Sequence, residues 1–356
     1  TAEGSFNMPS LLKYSGITTK VRAMQSKLIK PSGYEALVSL EHVSDALSWL
    51  KHQPAYAHVF DGLEESKAHR GEIESLLTNA LYEDFTKIYR FADMKQRKFM
   101  DFYFMHYEIA ILKKCLRSAY AKSESALDLS MFRDFFDKHS DVDIIRLGSC
   151  MSIDEFIHAL HGSRYYGPLS RLKQTSDPSL FDYEMALDLY YFSYIWKTKD
   201  KVLKAKDRKV LTEVYGPRLD LLNVQWIYRA KKYYDMAPVY IYSLLIPCNY
   251  KIRPAVIKSL VECGSLDEFT AILSKTPYAA AYRKETDGDI LSIETLYTTI
   301  LKNIFSLANR RNPYSIACIN SYLYFKEEEI QRITTIIEGI RYQLPPGEIA
   351  KYALNT

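Results

Sequence analysis

A chain of 356 residues exceeds the roughly 250–300 that one hydrophobic core usually serves, so several domains are expected. Hydrophobic residues at 47% and charged residues at 25% exclude a disordered or fibrous chain, and only 13 glycines and 13 prolines argue against a sandwich of short strands and tight turns. With 47 basic against 43 acidic side chains the net charge is +4, too even a balance to argue for nucleic acid, which asks for a concentrated basic face.

The five cysteines (Cys115, Cys150, Cys248, Cys263 and Cys318) are odd in number and widely spread. They suggest neither a disulfide framework nor a metal site and read as reduced thiols of a cytosolic protein. No apolar run reaches the roughly 18 residues of a membrane span; the nearest, residues 236–247 and 186–196, are short and carry polar groups. No signal-peptide pattern is present, and residues 1–7 read as an addition ahead of a native start near Met8. A soluble protein is expected.

In chain order, Ile17, Val21, Met24 and Leu28 form an amphipathic stripe that Pro31-Ser-Gly33 ends. Ser44 or Asp45 can cap a short helix through Leu50, and Pro54 breaks the chain. Long helices are expected over residues 71–91 and 94–121. Shorter ones follow over 130–139 and 152–161, where Ser152 and Glu155 have capping-box spacing. Residues 182–205 and 212–234 are long again, the latter with a break near Gly216-Pro217. Short helices over 254–262 and 265–274 precede long ones over 292–309 and 313–342, and residues 348–353 add a final turn. Nothing alternates like a strand, so the fold class is all-α.

The pattern repeats at about 110 residues. Glu74, Glu184 and Glu294 lie 110 apart, each opening an apolar, Tyr-rich stretch. Ser152-Ile-Asp-Glu-Phe156 returns as Ser265-Leu-Asp-Glu-Phe269, with a weaker first copy at Val43-Ser-Asp-Ala46. These run on to Tyr165, Tyr278 and Tyr56 respectively. Lys95-Gln-Arg-Lys98 returns as Lys206-Asp-Arg-Lys209, and Glu108-Ile109 as Asp220-Leu221 and Glu329-Ile330. Solenoid repeats run roughly 20–50 residues, so this period means a triplicated domain, over residues 8–125, 126–235 and 236–356. With 29 tyrosines and 16 phenylalanines, partly wet seams between helices are expected.

Chemistry is sparse. Glu155-Phe-Ile-His158 has the spacing of a di-iron helix, without the second pair and further glutamates that site needs. His158 and His161 find no acidic third ligand nearby, and Ser170-Arg-Leu-Lys173 is short enough for chance. Neither a phosphate-cradling loop nor a dinucleotide fingerprint is present. Asp141-Val-Asp143 and Asp287-Gly-Asp289 are the nearest approach to the aspartate-rich motifs of an isoprenoid-type helical enzyme, and both read as loops. No catalytic residue, cofactor or metal is assigned. Two basic stretches remain: Lys87, Arg90, Lys95, Arg97 and Lys98 straddle the junction between the first long helices, and Arg229, Lys231 and Lys232 close the second copy. Each is a candidate docking patch; a solvated face with snorkelling stems is the competing reading.

At these segments the chain resembles the C subunit of archaeal and bacterial A/V-type ATPases, whose eukaryotic vacuolar relative is the d subunit. Asp84-Phe-Thr-Lys-Ile-Tyr-Arg-Phe-Ala-Asp93, Lys95-Gln-Arg-Lys98 and Tyr107-Glu-Ile-Ala-Ile-Leu-Lys113 are similar to that family's first domain. Thr19-Lys-Val-Arg-Ala-Met24 is similar to its opening helix. Asn223-Val-Gln-Trp-Ile-Tyr-Arg-Ala-Lys-Lys-Tyr-Tyr234 is similar to its second closing helix, with Ala230 where many relatives carry glycine. Leu245-Ile-Pro-Cys-Asn-Tyr-Lys251 is similar to its entry to the third domain. The resemblance implies a funnel of three helical bundles about a pseudo-threefold axis. It implies a non-catalytic rotor part on the cytoplasmic face of the membrane, peripheral and without a span of its own, joining the central shaft to the membrane ring. A cytosolic helical adaptor for an unrelated partner is the alternative.

Overall fold

A computed structural model describes residues 8–122, 125–174, 178–279 and 293–354. Every regular element among them is a helix. The chain divides into two compact units, one of residues 1–96 and 302–356, the other of 97–301.

The first unit holds α1 (Met8–Gln25), α2 (Pro31–Val38), α3 (Val43–Lys51) and α4 (Arg70–Phe91). From the other chain end come the last part of α15 (Ile293–Arg311), then α16 (Ile316–Arg341) and α17 (Pro346–Leu354). The stripe expected in α1 is real: Ile17, Val21 and Met24 are buried. Pro31 does not end a helix but begins one, in the first-turn position where its missing N–H costs nothing. The third helix starts at Val43 with His42 at its cap position and no side-chain cap, so Ser44 and Asp45 fall inside its first turn. Helix α16 packs on α1, α2, α3, α4 and α17 and buries residues on every side, as a central helix must. Leu37, Leu47, Leu50, Phe60, Leu77, Ile333 and Ile336 fill the core around it.

One polar cluster sits inside that core. Tyr56 Oη donates to Glu329 Oε1 at 2.6 Å, and Lys326 Nζ reaches the same carboxylate oxygen at 3.0 Å and Tyr56 Oη at 2.7 Å. The ammonium also lies 3.9 Å from the centre of the Tyr56 ring. The other carboxylate oxygen accepts from Ile29 N at 2.6 Å. Lys326 and Glu329 are 1% and 2% exposed, so this is a buried ion pair with its hydrogen bonds filled.

The second unit begins within α5 (Met94–Tyr120). A 3-10 turn (Ser130–Phe132) leads into α6 (Arg133–His139), then α7 (Ile144–Gly148), α8 (Ile153–Ala159) and α9 (Tyr166–Lys173). The long α10 (Leu180–Val202) and α11 (Ala205–Tyr234) follow, then α12 (Pro238–Ser243), α13 (Pro254–Glu262) and α14 (Leu266–Leu273). Ser152 and Ser265 cap α8 and α14 through Glu155 N and Glu268 N. Each glutamate returns to the residue before the cap, accepting from Met151 N and Gly264 N at 2.9 Å. Lys113–Asp188 and Arg117–Glu184, both 2.6 Å, tie α5 to α10.

Two more buried carboxylates act here. Glu108 accepts from Tyr165 Oη and Ser140 Oγ. Asp220 accepts from Tyr278 Oη at 2.8 Å and from the backbone N–H groups of Tyr250, Lys251 and Ile252 at 3.0, 2.7 and 3.1 Å. The positions that recur in the sequence, Glu108, Asp220 and Glu329, thus share one task. Each pair joins a tyrosine of one predicted copy to the carboxylate of the copy before it, with the last carboxylate serving the first tyrosine. Burial, then the facing carboxylate, push the phenols of Tyr56, Tyr165 and Tyr278 well above their ordinary range, which keeps them donors.

The three closing helices also stop alike. Lys122, Asp235 and Gln343, just beyond α5, α11 and α16, are the described non-glycine residues with left-handed backbone, at φ of 49°, 44° and 56°. The break expected at Gly216-Pro217 is absent: α11 runs through as one helix of 30 residues. The Tyr250 ring lies where a Gly216 side chain would be, 2.5 Å from an added Cβ, and Asp220 one turn on holds the backbone carrying that ring.

Three outcomes are expected. Glu329→Gln leaves Lys326 buried without a counter-charge and should cost about 3–5 kcal/mol in denaturant unfolding, against about 1–3 kcal/mol for Tyr56→Phe. Gly216→Ala should cost about 1–3 kcal/mol by overpacking against Tyr250. The native state holds the three phenolic protons more tightly than the unfolded chain, whose tyrosines titrate near 10.0. Stability present below pH 10 should therefore fall as pH rises through that value, with these phenolates forming in the ultraviolet spectrum only as the chain unfolds.

Candidate partner-docking surface

The corner between α4 and α5 is built from four residues, Phe91-Ala92-Asp93-Met94. Ala92 turns extended (φ −78°, ψ 136°) and is buried, which ends α4 and pins the corner to the core. Asp93 Oδ1 accepts from Lys95 N and Gln96 N, and Gln96 Oε1 accepts from Asp93 N, all at 2.8 Å. This reciprocal cap starts α5 without a free loop. Gln96 also donates to Lys13 O at 3.3 Å, and Lys13 Nζ stands 3.7 Å from Asp93.

The rigid corner leaves two large apolar side chains in water: Phe91 is 58% exposed and Met94 79%. Lys20 stacks its ammonium 5.4 Å from the Phe91 ring centre. The predicted basic cluster is unevenly exposed. Arg90, Lys95 and Lys98 face solvent, whereas Lys87 is held by Asp84 at 3.1 Å and Glu83 at 3.6 Å, and Arg97 is half-buried. Sequence reading found the cations and missed Phe91 and Met94, although two apolar residues bracketing a helix stop among charges are a readable signal.

The second basic patch also divides. Lys231 Nζ donates to Cys263 O at 2.8 Å and so bolts α11 to the turn before α14. Lys232 is exposed and lies 5.2 Å from the ring centres of both Tyr228 and Tyr233. Arg229 borders a cleft of about 300 Å³ with Phe181, Trp226, Tyr234 and Met236. Tyr233, Tyr234, Val239, Tyr240 and Tyr242 are exposed across the end of α11 and α12, a further apolar surface that sequence reading noted only as a short apolar run.

Residues weighed for chemistry have structural duties. Glu155 is spent on Met151 N, and the His161 ring packs 5.0 Å from Tyr166. Ser170 Oγ bonds Gly167 O, Lys173 pairs with Asp154, and Asp143 caps α7. Asp287 and Asp289 lie outside the described residues. Among the described residues no group of three His, Cys, Asp or Glu side chains is placed to hold a metal ion, and no helix is long and apolar enough to cross a membrane. All five cysteines are free and buried, and burial pushes the Cys115 and Cys248 thiols up to about 12.

Comparison with known proteins converges on one group. Three relatives, each the C subunit of an A-type ATP synthase, match along most of their length. That of Methanosarcina mazei is 24% identical over 331 residues, covering 92% of this chain and 88% of its own. That of Methanocaldococcus jannaschii is 21% identical over 358 residues, covering 97% and 87%. That of Thermococcus kodakarensis is 22% identical over 343 residues, covering 95% and 90%. The family model described as the ATP synthase (C/AC39) subunit matches residues 17–352, nearly the whole chain, and the protein belongs to that family.

Proposed function

We propose that this chain is a non-catalytic rotor subunit of a rotary A/V-type ATPase, joining the central shaft of the ATP-hydrolysing head to the ion-translocating membrane ring. The observation that carries the reading is the family match over residues 17–352. In this role the protein is peripheral, on the cytoplasmic face of the membrane, and makes or breaks no bonds. Residues 8–125, 126–235 and 236–356 are three copies of one helical unit in this reading.

A torque-bearing adaptor must resist twisting and must not slip. Resistance is a matter of packing, since protein interiors are as dense as organic crystals. The buried carboxylates at Glu108, Asp220 and Glu329 add directional bonds where sliding of short helices over long ones would otherwise cost only dispersion. Grip comes from the surface. The exposed cations Arg90, Lys95 and Lys98, and Arg229 and Lys232 in the second unit, supply charge for registering a partner.

A tagged copy of this protein should co-purify with head, shaft and ring subunits, and microscopy of the complex should place it between shaft and ring. Isolation with an unrelated partner in place of those subunits would defeat the reading. Arg90→Glu with Lys95→Glu should slow assembly about tenfold or more near 50 mM salt and far less above about 0.5 M, where screening shortens the reach of charge. Assembly that ignores both reversals at every salt concentration removes the basic corner from the interface.

A further inference from the structure

We propose that the α4–α5 corner is a two-knob plug: Phe91 and Met94 enter an apolar recess in an acidic protein surface, and that surface belongs to the central shaft. The proposal rests on the rotor reading above and adds the residues that hold the joint, as distinct from those that steer it.

The knobs are costly where they are. Phe91 and Met94 stand 58% and 79% exposed, although the chain has ample buried core for such side chains. They are also ordered in advance. Ala92 is buried between them and the Asp93–Gln96 cap fixes the start of α5, so little backbone freedom remains to be lost on docking. Phenylalanine and methionine are among the side chains enriched at the centres of protein interfaces.

Charge sets the sign of the partner. Lys20, Arg90 and Lys95 stand around the knobs, and the acidic groups beside them are engaged: Asp93 by the helix cap and Lys13, Glu83 and Asp84 by Lys87. The rim is therefore positive, and its complement is an acidic surface with an apolar centre.

Uniqueness chooses between shaft and ring. The corresponding corners, between α10 and α11 and between α15 and α16, carry no such knobs. Leu203 is buried at 7% in one, Ser315 is fully buried in the other, and neither exposes a large apolar side chain. A ring of identical subunits offers the same site at every step and would favour repeated contacts. A single plug suits a partner that presents one socket.

The test is binding of the full chain to the isolated shaft subunits of its own complex, followed kinetically at several salt concentrations. Phe91→Ser with Met94→Ser should weaken binding about 30- to 100-fold, almost all in the dissociation rate, with the salt dependence unchanged. Arg90→Glu with Lys95→Glu should instead slow association and flatten or invert the salt dependence. Because both knobs are solvent-exposed, melting curves of the serine variant should match wild type. A Met94→Cys variant carrying an environment-sensitive dye should shift to shorter wavelength when shaft is added, the native cysteines being buried.

Wild-type binding with the serine variant binding equally well would overturn the plug and leave the rotor reading intact. Failure of the wild type to bind any subunit of the complex would sink the rotor reading, and the plug with it. Loss of ring binding alone, or binding to phosphatidylglycerol vesicles that the serine mutations abolish while shaft binding persists, would overturn the choice of partner.

Discussion

A carboxylate buried in a helical core must be satisfied on both oxygens or it unfolds what surrounds it. Among the described residues, Glu108, Asp220 and Glu329 meet that constraint, each on a long closing helix. Most of the architecture around those helices can be read as the means of satisfying it. Short helices and turns bring a tyrosine hydroxyl, a serine hydroxyl or a run of backbone N–H groups to each site, and those contacts fix how the short elements sit on the long ones.

The three solutions differ in their partners. Asp220 spends itself largely on backbone, holding residues 250–252 against the proline-bearing helix beside Gly216. Glu108 uses two side-chain hydroxyls. Glu329 alone carries a buried ammonium, from Lys326, and it links the chain's beginning to its end through Tyr56 and Ile29. A recurring tyrosine–carboxylate bond thus keeps different company in its three places.

Surface charge is partitioned by the same logic. Lys113, Lys231 and Lys326 look, as letters, like any other helix cations, yet each is tied to a partner within its own unit. Arg90 and Lys95 remain in water beside two exposed apolar side chains on a corner held by the Asp93–Gln96 cap. The difference separates the structural cations from those available to another protein.

The helices themselves were legible in the sequence because their causes are local. Apolar spacing, Ser caps at positions 152 and 265, and scarce glycine act within a turn or two, and the 110-residue period located the recurring carboxylates and tyrosines. Pro31 and Pro217 both read as stops, yet one falls in a first turn, where its missing N–H costs nothing, and the other lies inside a continuous helix. What the tertiary structure alone decided is which residues meet. Tyr56 and Glu329 lie 273 residues apart, and Phe91 stands exposed beside a buried Ala92. Periodicity tells a side chain which face of its own helix it occupies; only packing decides whether that face meets core, a counter-charge or water.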